Sequence, residues 1–262
     1  MKNSYSLQLF TLADVTKVSM EKALSQAARL GYEQVEFAGF CGHSAEQIRE
    51  WLLKYGLKVS SAHVPLPEIR DHFAETVRFH QTIGNQNLIM PMEDLNSQEK
   101  LDQFVPDTAA VGEKLSAVGI NLGYHNHLHE FHPNVDGSMI YDQITARTHV
   151  FLEVDVGWVN AAGGEPMEIL KQWEKRIRFI HLRDSVPYSG KVTGTPMLEV
   201  YADVFKNNIG KPLGQGNAPI GEAYAMAVKN NWQMVIECEA KVPDGITAAA
   251  LCMEQLKGLE AR

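Results

Sequence analysis

The sequence has no long apolar run and little cysteine. No segment approaches the roughly 18 consecutive apolar residues of a membrane-spanning helix, and the first residues carry no run of signal-peptide length. Cys41, Cys238 and Cys252 have no C-x-x-C spacing, so we interpret them as packing thiols in a reducing compartment. These absences predict a soluble, cytoplasmic protein that does not contact a membrane.

Positive charge is also scarce. The chain has 24 Lys and Arg against 32 Asp and Glu, which gives a net charge of -8 at pH 7. Nucleic-acid affinity rests on cations that displace phosphate counterions, so this balance disfavours a generic nucleic-acid binder and leaves room only for a small local basic pocket. We therefore expect a small-molecule partner and no nucleic acid. The composition is compatible with a homo-oligomer.

Interdomain linkers and a glycine-rich turn after the first strand are missing as well. No Pro/Ser-rich or charge-rich stretch divides the chain, and residues 9–13 are not the Gly-rich turn that a doubly wound dinucleotide-binding sheet places after its first strand. Instead, a helical pattern, a glycine and a short β-rich run recur in the same order. One copy joins a helix at residues 19–30 to a strand at 34–37, and the next begins with the capping-box pair Ser44 and Gln47.

Eight strand candidates can be placed in this way, separated by helical stretches. They lie at residues 6–10, 34–37, 58–63, 87–91, 120–125, 150–155, 178–183 and 233–237. A length of 262 residues is usual for a (β/α)8 barrel. The pattern predicts the α/β class and a single domain, residues 1–262, that folds as a closed (β/α)8 TIM barrel.

Ionisable residues gather at the predicted carboxyl ends of these strands, which is the end where barrel active sites are built. Six short apolar runs end in one such residue each: Glu36, His63, His125, Asp155, His181 and Glu237. The period of two along a strand sharpens the pattern, because Glu153 and Asp155 face one side while Leu152 and Val154 face the other. The last four strands each direct a pair of ionisable groups towards the predicted mouth.

Such a set of charges is costly to bury without compensation. A cation would balance the carboxylates and use the imidazoles as neutral nitrogen ligands. We predict one divalent metal held by His125, Asp155, His181 and Glu237, and the mixed nitrogen and oxygen set favours Mn²⁺, Co²⁺, Zn²⁺ or Fe²⁺. The alternative is that these residues are separate, hydrogen-bonded polar groups that bind no metal.

The motifs around these residues resemble the xylose-isomerase-like TIM-barrel superfamily, in particular its sugar phosphate isomerase/epimerase branch. The likeness runs along nearly the whole chain, and its most specific elements are Gly123-Tyr124-His125-Asn126-His127 with Glu130-Phe131, residues 152–158, residues 180–184 and Val235-Ile236-Glu237. That branch includes keto-sugar epimerases, hydroxypyruvate isomerases and inosose dehydratases. The resemblance implies metal ligands at Asp155, His181 and Glu237.

The resemblance fails at the fifth strand. Many epimerases of the branch carry a Glu there that is both ligand and acid/base, whereas this chain presents His125. Glu130, in the following loop, is therefore an alternative fourth ligand. Glu153 is interpreted as a structural partner of Asp155.

The resulting hypothesis is a metal-dependent isomerase or epimerase that acts on a keto-sugar or related polyol ketone through an enediolate. The resemblance implies Glu237 as general base, with His63 and His127 as candidates for the acid or for binding substrate hydroxyls. Glu36, Trp158 and Arg183 are candidate substrate-binding residues, Arg183 alternatively pairing with Asp184.

Other functional hypotheses remain open. The first alternative is a dehydratase or lyase that acts on a keto-sugar or keto-inositol with the same metal. An alternative of another class is a non-catalytic sugar-binding barrel. An apurinic-site endonuclease shares the barrel, but the negative net charge opposes it. Residues 184–219 are expected to cover the mouth, and Gly214-Gln215-Gly216 could approach a phosphate through backbone amides.

Overall fold

The fold is a closed ring of eight parallel strands surrounded by helices. The computed structural model describes residues 4–134, 136–239 and 244–261. Neighbouring strands follow one another around the ring, and a pairing between the sixth and seventh strands closes it. The ring strands are β1 (Tyr5–Gln8), β2 (Gln34–Phe37), β3 (Lys58–His63), β4 (Asn87–Met90), β5 (Asn121–His125), β6 (Phe151–Asp155), β7 (Ile177–Ser185) and β9 (Gln233–Glu237). The predicted (β/α)8 TIM barrel is confirmed.

A short extra strand, β8 (Gly210–Lys211), pairs antiparallel with the end of β7. The first predicted strand, residues 6–10, begins one residue too late and ends two residues too late. The strand ends at Gln8 because residues 9–12 form a 3-10 helix. The side chain of Gln8 caps this helix by accepting a hydrogen bond from the backbone N–H of Phe10.

The helices form the outer layer. In chain order they are α1 (Ala13–Thr16), α2 (Met20–Leu30), α3 (Ala45–Tyr55), α4 (Leu66–Asp71), α5 (Phe73–Ile83), α6 (Gln98–Ala117), α7 (Ile140–Arg147), α8 (Val156–Ala161), α9 (Pro166–Gln172), α10 (Met197–Lys206), α11 (Ile220–Asn230) and α12 (Gly245–Glu260). The predicted capping box at Ser44 and Gln47 is formed in both directions. None of the helices in the described ranges is both long and apolar enough to cross a membrane.

An apolar plug fills the interior of the barrel near the amino ends of the strands. It consists of Ile89, Phe151, Phe179 and Val235, and the two phenyl rings stack with centroids 5.5 Å apart. Gly123 makes room for it, because a Cβ at that position would lie 2.4 Å from the ring of Phe151. The predicted metal ligands on β6, β7 and β9 lie on the carboxyl-terminal side of this plug.

His80 on α5 is a buried imidazole outside this interior, and it predicts a pH dependence of stability. Its Nδ1 lies 3.0 Å from Nδ2 of Asn85, and burial lowers the pKa of His80 from 6.5 to about 4. The folded state therefore binds fewer protons than the unfolded state between these two values. This contribution to stability is complete above about pH 6.5 and is lost as the pH falls towards about 4, for a total of about 3 kcal/mol.

We expect His80→Gln to remove this dependence while keeping an acceptor for Asn85. Urea unfolding of the native protein and of His80→Gln between about pH 7 and about pH 4.5 measures how the free energy of unfolding depends on pH. The free energy of unfolding of the native protein should fall more steeply with decreasing pH than that of the variant. Parallel slopes would contradict the assignment.

Candidate metal centre

Four side chains from consecutive strands of the ring converge at the carboxyl end of the barrel. His125 ends β5, Asp155 ends β6, His181 lies on β7 and Glu237 ends β9. All four are buried, and one donor atom from each lies within 4.8 Å of the others. They meet because residues that alternate along parallel strands share the inward face. The structure thus brings together the four residues that the sequence predicts as metal ligands.

Asp155 is held by its own backbone surroundings. It caps α8, since Oδ1 accepts a hydrogen bond of 2.7 Å from the backbone N–H of Trp158. The side chain of Asn126 brackets it, accepting from the backbone N–H of Asp155 at 3.1 Å and donating to its carbonyl oxygen at 3.2 Å. The second carboxylate oxygen, Oδ2, is buried without a hydrogen-bond partner. This oxygen is left available for a ligand.

His181 occupies the centre of the group. Its Nδ1 lies 3.0 Å from Oε2 of Glu237 and 3.6 Å from Oδ2 of Asp155. Its other nitrogen, Nε2, lies on the opposite side of the imidazole, 2.8 Å from Oε1 of Glu36. The first nitrogen therefore faces the two predicted carboxylate ligands, and the second faces a carboxylate that orients the imidazole, an arrangement that metal-binding histidines commonly have.

Glu36 and Glu153 form a second layer of contacts beside this group. Glu36 accepts hydrogen bonds from Nε2 of Gln8 at 2.6 Å and from Oγ of Ser61, and lies 3.1 Å from Nε2 of His63. Glu153 lies 2.8 Å from the same atom of His63. His63, His125, Glu153 and His181 form a further set of donors that are mutually close enough to share a cation. Glu36 is thus placed to hold the histidines, and its direct contact with substrate stays a prediction.

The electrostatics show an excess of carboxylates over cations. Burial raises the pKa of Asp155 and of Glu153, and neighbouring Glu36 adds to the rise at Glu153. Burial opposes the ionisation of Glu36 too, but the charges of His63 and His181 outweigh it and hold its pKa well below the usual range. Burial disfavours the charged form of His63, but Glu36 and Glu153 overcome that effect and raise its pKa to about 10.

A divalent cation fits this site. Burial, with the charges of His181 and His63, lowers the pKa of His125 well below its ordinary value, so its imidazole is neutral, the form that binds metals. Its Nδ1, like Oδ2 of Asp155, is buried without a hydrogen-bond partner. Two such unsatisfied atoms beside crowded carboxylates are what a cation would compensate. The donor set of two imidazoles and two carboxylates suits Mn²⁺, Co²⁺, Zn²⁺ or Fe²⁺.

Glu130, the alternative to His125, lies outside both groups of donors. Its Oε1 accepts a hydrogen bond of 2.7 Å from the hydroxyl of Tyr124, and its Oε2 accepts one of 2.8 Å from the backbone N–H of His127. Both oxygens thus fix the loop after β5. Of the two candidates for the fourth ligand, the structure places His125 in the group.

An aromatic wall lies beside the metal centre. The ring of His127 lies 5.2 Å from that of Trp158 and 5.5 Å from that of Tyr201. Tyr201 is on α10, within the segment 184–219 that the sequence predicts as a cover, and its hydroxyl lies 2.8 Å from Nδ1 of His129. The segment carries α10 and packs against the aromatic wall through Tyr201. Sequence reasoning did not identify Tyr201, because nothing in its local pattern distinguishes it from a core tyrosine.

Arg183 is fully buried beneath this wall. Its guanidinium lies 3.7 Å from the centre of the Trp158 ring, and Nη2 donates a hydrogen bond of 2.6 Å to Oε2 of Glu239. The predicted alternative of an Arg183–Asp184 pair is therefore wrong, because Glu239 takes that place. The nitrogens Nε and Nη1 have no hydrogen-bond partner. Burial raises the pKa of Glu239 to about 7, against the opposing charge of Arg183.

Asp184 has a structural task instead. Its carboxylate accepts hydrogen bonds from the backbone N–H groups of Gly214, Gly216 and Ala218 at 2.9, 2.9 and 3.1 Å. The amides of Gly214 and Gly216 are two of the three that the sequence suggested for a phosphate, and the third, that of Gln215, donates to the carbonyl oxygen of Pro212. The expectation of a phosphate at Gly214-Gln215-Gly216 is wrong, because internal acceptors already occupy those amides.

The comparison with known proteins agrees with this geometry. A family model described as a xylose isomerase-like TIM barrel matches residues 24–260. The chain belongs to this family. The resemblance stated from the motifs is thereby confirmed.

Three relatives show how far the likeness extends. An inosose dehydratase of Lacticaseibacillus casei is 22% identical over 252 residues, which is 85% of this chain and 83% of that protein. The crystal structure of a sugar phosphate isomerase/epimerase from Parabacteroides distasonis has a TM-score of 0.74 at 20% identity and covers 98% of each chain. That of a probable 3-DHS dehydratase from Bacillus anthracis has a TM-score of 0.75 at 14% identity, over 97% of this chain and 98% of that one. The predicted class, an enzyme related to sugar isomerases, epimerases and dehydratases, is confirmed at this level.

Proposed function

We propose that this protein is a metal-dependent enzyme that removes a proton next to the ketone of a polyhydroxylated substrate, and that the reaction ends in loss of water. One observation carries the proposal: the four converging donors include one group that solvent reaches. The side chain of Glu237 is 7% exposed, whereas those of His125, Asp155 and His181 are at most 1% exposed. Glu237 is therefore the group that a substrate meets.

A bound divalent metal would polarise the ketone and stabilise the enediolate charge that develops when the proton leaves. Glu237 takes that proton, since a carboxylate at the edge of the site is suited to general base catalysis. Nδ1 of His181 lies 3.0 Å from Oε2 of Glu237 in the structure, and both atoms would bind the metal, which would then hold the two side chains together.

His63 is the proton donor in this proposal. Its side chain is 10% exposed, more than those of the other site histidines that contact Glu153. Glu153 and Glu36 both contact its Nε2, and two carboxylates favour the protonated imidazole. From there, His63 would protonate the hydroxyl that leaves as water. Trp158 and Arg183 are buried beside the centre, and we retain them as candidates to contact the ring and the oxygens of a substrate that enters the site.

Dehydration is favoured over isomerisation for two reasons. The curated relative from Lacticaseibacillus casei is an inosose dehydratase, and the likeness extends along more than four-fifths of both chains. The fifth strand also offers neutral His125 where the two-carboxylate epimerases carry a second acid/base Glu. A keto-inositol or a related keto-sugar is the substrate class that fits.

Isomerisation or epimerisation of a keto-sugar is the second candidate. The position of His127 favours this second candidate. Its ring lies beside those of His125 and Trp158, and its imidazole could return the proton to a carbon of the substrate. We also propose that the chain works as one barrel domain in a reducing, cytoplasmic setting, since all three cysteines are free thiols.

The test is a reaction in D2O with protein loaded with Mn²⁺ or Co²⁺. A keto-inositol and a panel of keto-sugars would be followed by NMR, with metal content measured on the same samples. We expect loss of water from the keto-inositol, and Glu237→Gln should lower its rate by about a hundredfold to ten-thousandfold. Deuterium incorporation without dehydration would establish the isomerase or epimerase instead. Calorimetric binding of a sugar with neither exchange nor dehydration would show a binding protein and overturn the proposal.

A further inference from the structure

A second cavity opens at the other end of the barrel, away from the metal centre. It has a volume of about 450 Å³ and lies between α6 and the amino ends of β5, β6 and β7. Phe151, which belongs to the apolar plug, forms part of its wall. Phe151 and Asp155 are the first and last residues of β6, so roughly 13 Å of strand separates this cavity from the metal centre. The cavity is therefore distinct from the site described above.

The charge of its lining is opposite to that of the protein as a whole. Arg147, Lys175, Arg176 and Arg178 line it, and Glu113 is its one acidic lining residue. Arg147 is neutralised by Asp102 at 2.6 Å, but no ion pair is found for Lys175 or Arg178 in the part of the chain that the structure describes. A concentrated positive charge in a protein of net charge -8 attracts anions to this one place.

Arg176 is fixed at the wall of the cavity. Its Nη1 donates a hydrogen bond to the carbonyl oxygen of Thr145. Its Nη2 donates one of 2.9 Å to the carbonyl oxygen of Val150. Arg176 therefore adds a positive charge whose position is set by the backbone.

The rest of the wall is apolar. Ile120, Leu122, Val150 and Phe151 line it, and the guanidinium of Arg178 lies 5.3 Å from the centre of the Phe151 ring. A volume of about 450 Å³ is in the range of small-molecule sites, which combine apolar walls with a few convergent polar groups. Inorganic phosphate alone would make no use of this apolar wall.

We propose that this cavity binds a small organic phosphate, namely a phosphate monoester with an aromatic or heteroaromatic body such as a nucleoside monophosphate. Lys175 and Arg178 bind the phosphate, because guanidinium and ammonium groups form charge-assisted hydrogen bonds with it, and the fixed charge of Arg176 adds to the attraction. The body packs on Phe151 and its aliphatic neighbours. The site is separate from the catalytic one and does not depend on the reaction proposed above.

The test is isothermal titration calorimetry of the metal-loaded protein with AMP, adenosine and inorganic phosphate as probes. We expect AMP to bind, and adenosine and phosphate each to bind at least about tenfold more weakly, because each lacks one half of the interaction. The double variant Lys175→Gln, Arg178→Gln should weaken AMP binding by at least about tenfold. Both side chains are exposed, so the variant is expected to fold like the native protein.

Two controls make the result specific. Arg29→Gln removes an exposed charge on α2, on another side of the barrel, and should leave AMP binding unchanged. Asp155→Asn should also leave it unchanged, which excludes AMP bound at the metal centre. The proposal is overturned if AMP does not bind, if phosphate binds as tightly as AMP, or if the double variant binds AMP like the native protein.

Discussion

Asp155→Asn is expected to abolish stoichiometric metal binding and to lower turnover by about a thousandfold. Asparagine has almost the same shape, and its carbonyl oxygen can still cap α8 by accepting from the N–H of Trp158. What it lacks is the negative charge at the position of Oδ2, the buried oxygen without a partner that faces His181. The variant would lose one charged ligand and, with it, the transition-state stabilisation that a bound metal would supply, and this accounts for the expected size of the effect.

Metal analysis of the purified variant and its rate on the substrate of the native protein measure this prediction. Asp142→Asn on α7 is a matched control, because the same chemical change there affects an exposed carboxylate far from the centre. The control should retain metal and rate. If Asp155→Asn bound one equivalent of metal and turned over normally, Asp155 would not be a ligand and the proposed centre would be wrong.

Gly157→Ala is expected to destabilise the fold by about 3 kcal/mol or more, which corresponds to a fall in Tm of roughly 6 to 12 °C. A Cβ on Gly157 would lie 2.4 Å from the carbonyl oxygen of Arg183. The backbone of β7 cannot retreat, because it is hydrogen-bonded to β6 on one side and to β9 on the other. Relief would require α8 to move, and α8 begins at the residue after Asp155.

Thermal unfolding of Gly157→Ala beside Gly258→Ala checks this prediction. Gly258 lies in α12, and nothing is within 4 Å of the Cβ that alanine would add there. The control should gain about 0.5 to 1 kcal/mol from the helix propensity of alanine. Equal melting temperatures for Gly157→Ala and the native protein would mean that the strand and helix can separate without loss of packing.

The sequence alone predicts the barrel and the residues that converge in it, because both follow from short-range periodicity. Alternation along β6 puts Glu153 and Asp155 on one face, and alternation along β7 does the same for His181 and Arg183. Strand bounds at 34–37, 58–63 and 233–237 agree with β2, β3 and β9 for the same reason. The predicted bounds of β1 lay too far along the chain, because the strand is ended by a 3-10 helix that the Gln8 side chain caps. Periodicity does not detect such a cap.

Partnerships across the barrel could not be predicted in this way. Arg183 contacts Glu239 across a separation of 56 residues, and His181 contacts Glu36 across 145. These pairings depend on the stagger between strands, which aligns Arg183 with Glu237 and thereby brings Glu239 within reach. Sequence order made Asp184 seem the natural partner of Arg183, and made three amides near Gly214 seem available to a phosphate.

The apolar plug also governs how molecules can pass through the barrel. Ile89, Phe151, Phe179 and Val235 fill one layer of the interior, so a molecule cannot pass along the barrel axis from one end to the other. A substrate that reached the proposed metal centre would have to enter from the carboxyl end of the strands, and its product would have to leave by the same end. A product that stayed bound there would block the entry of the next substrate.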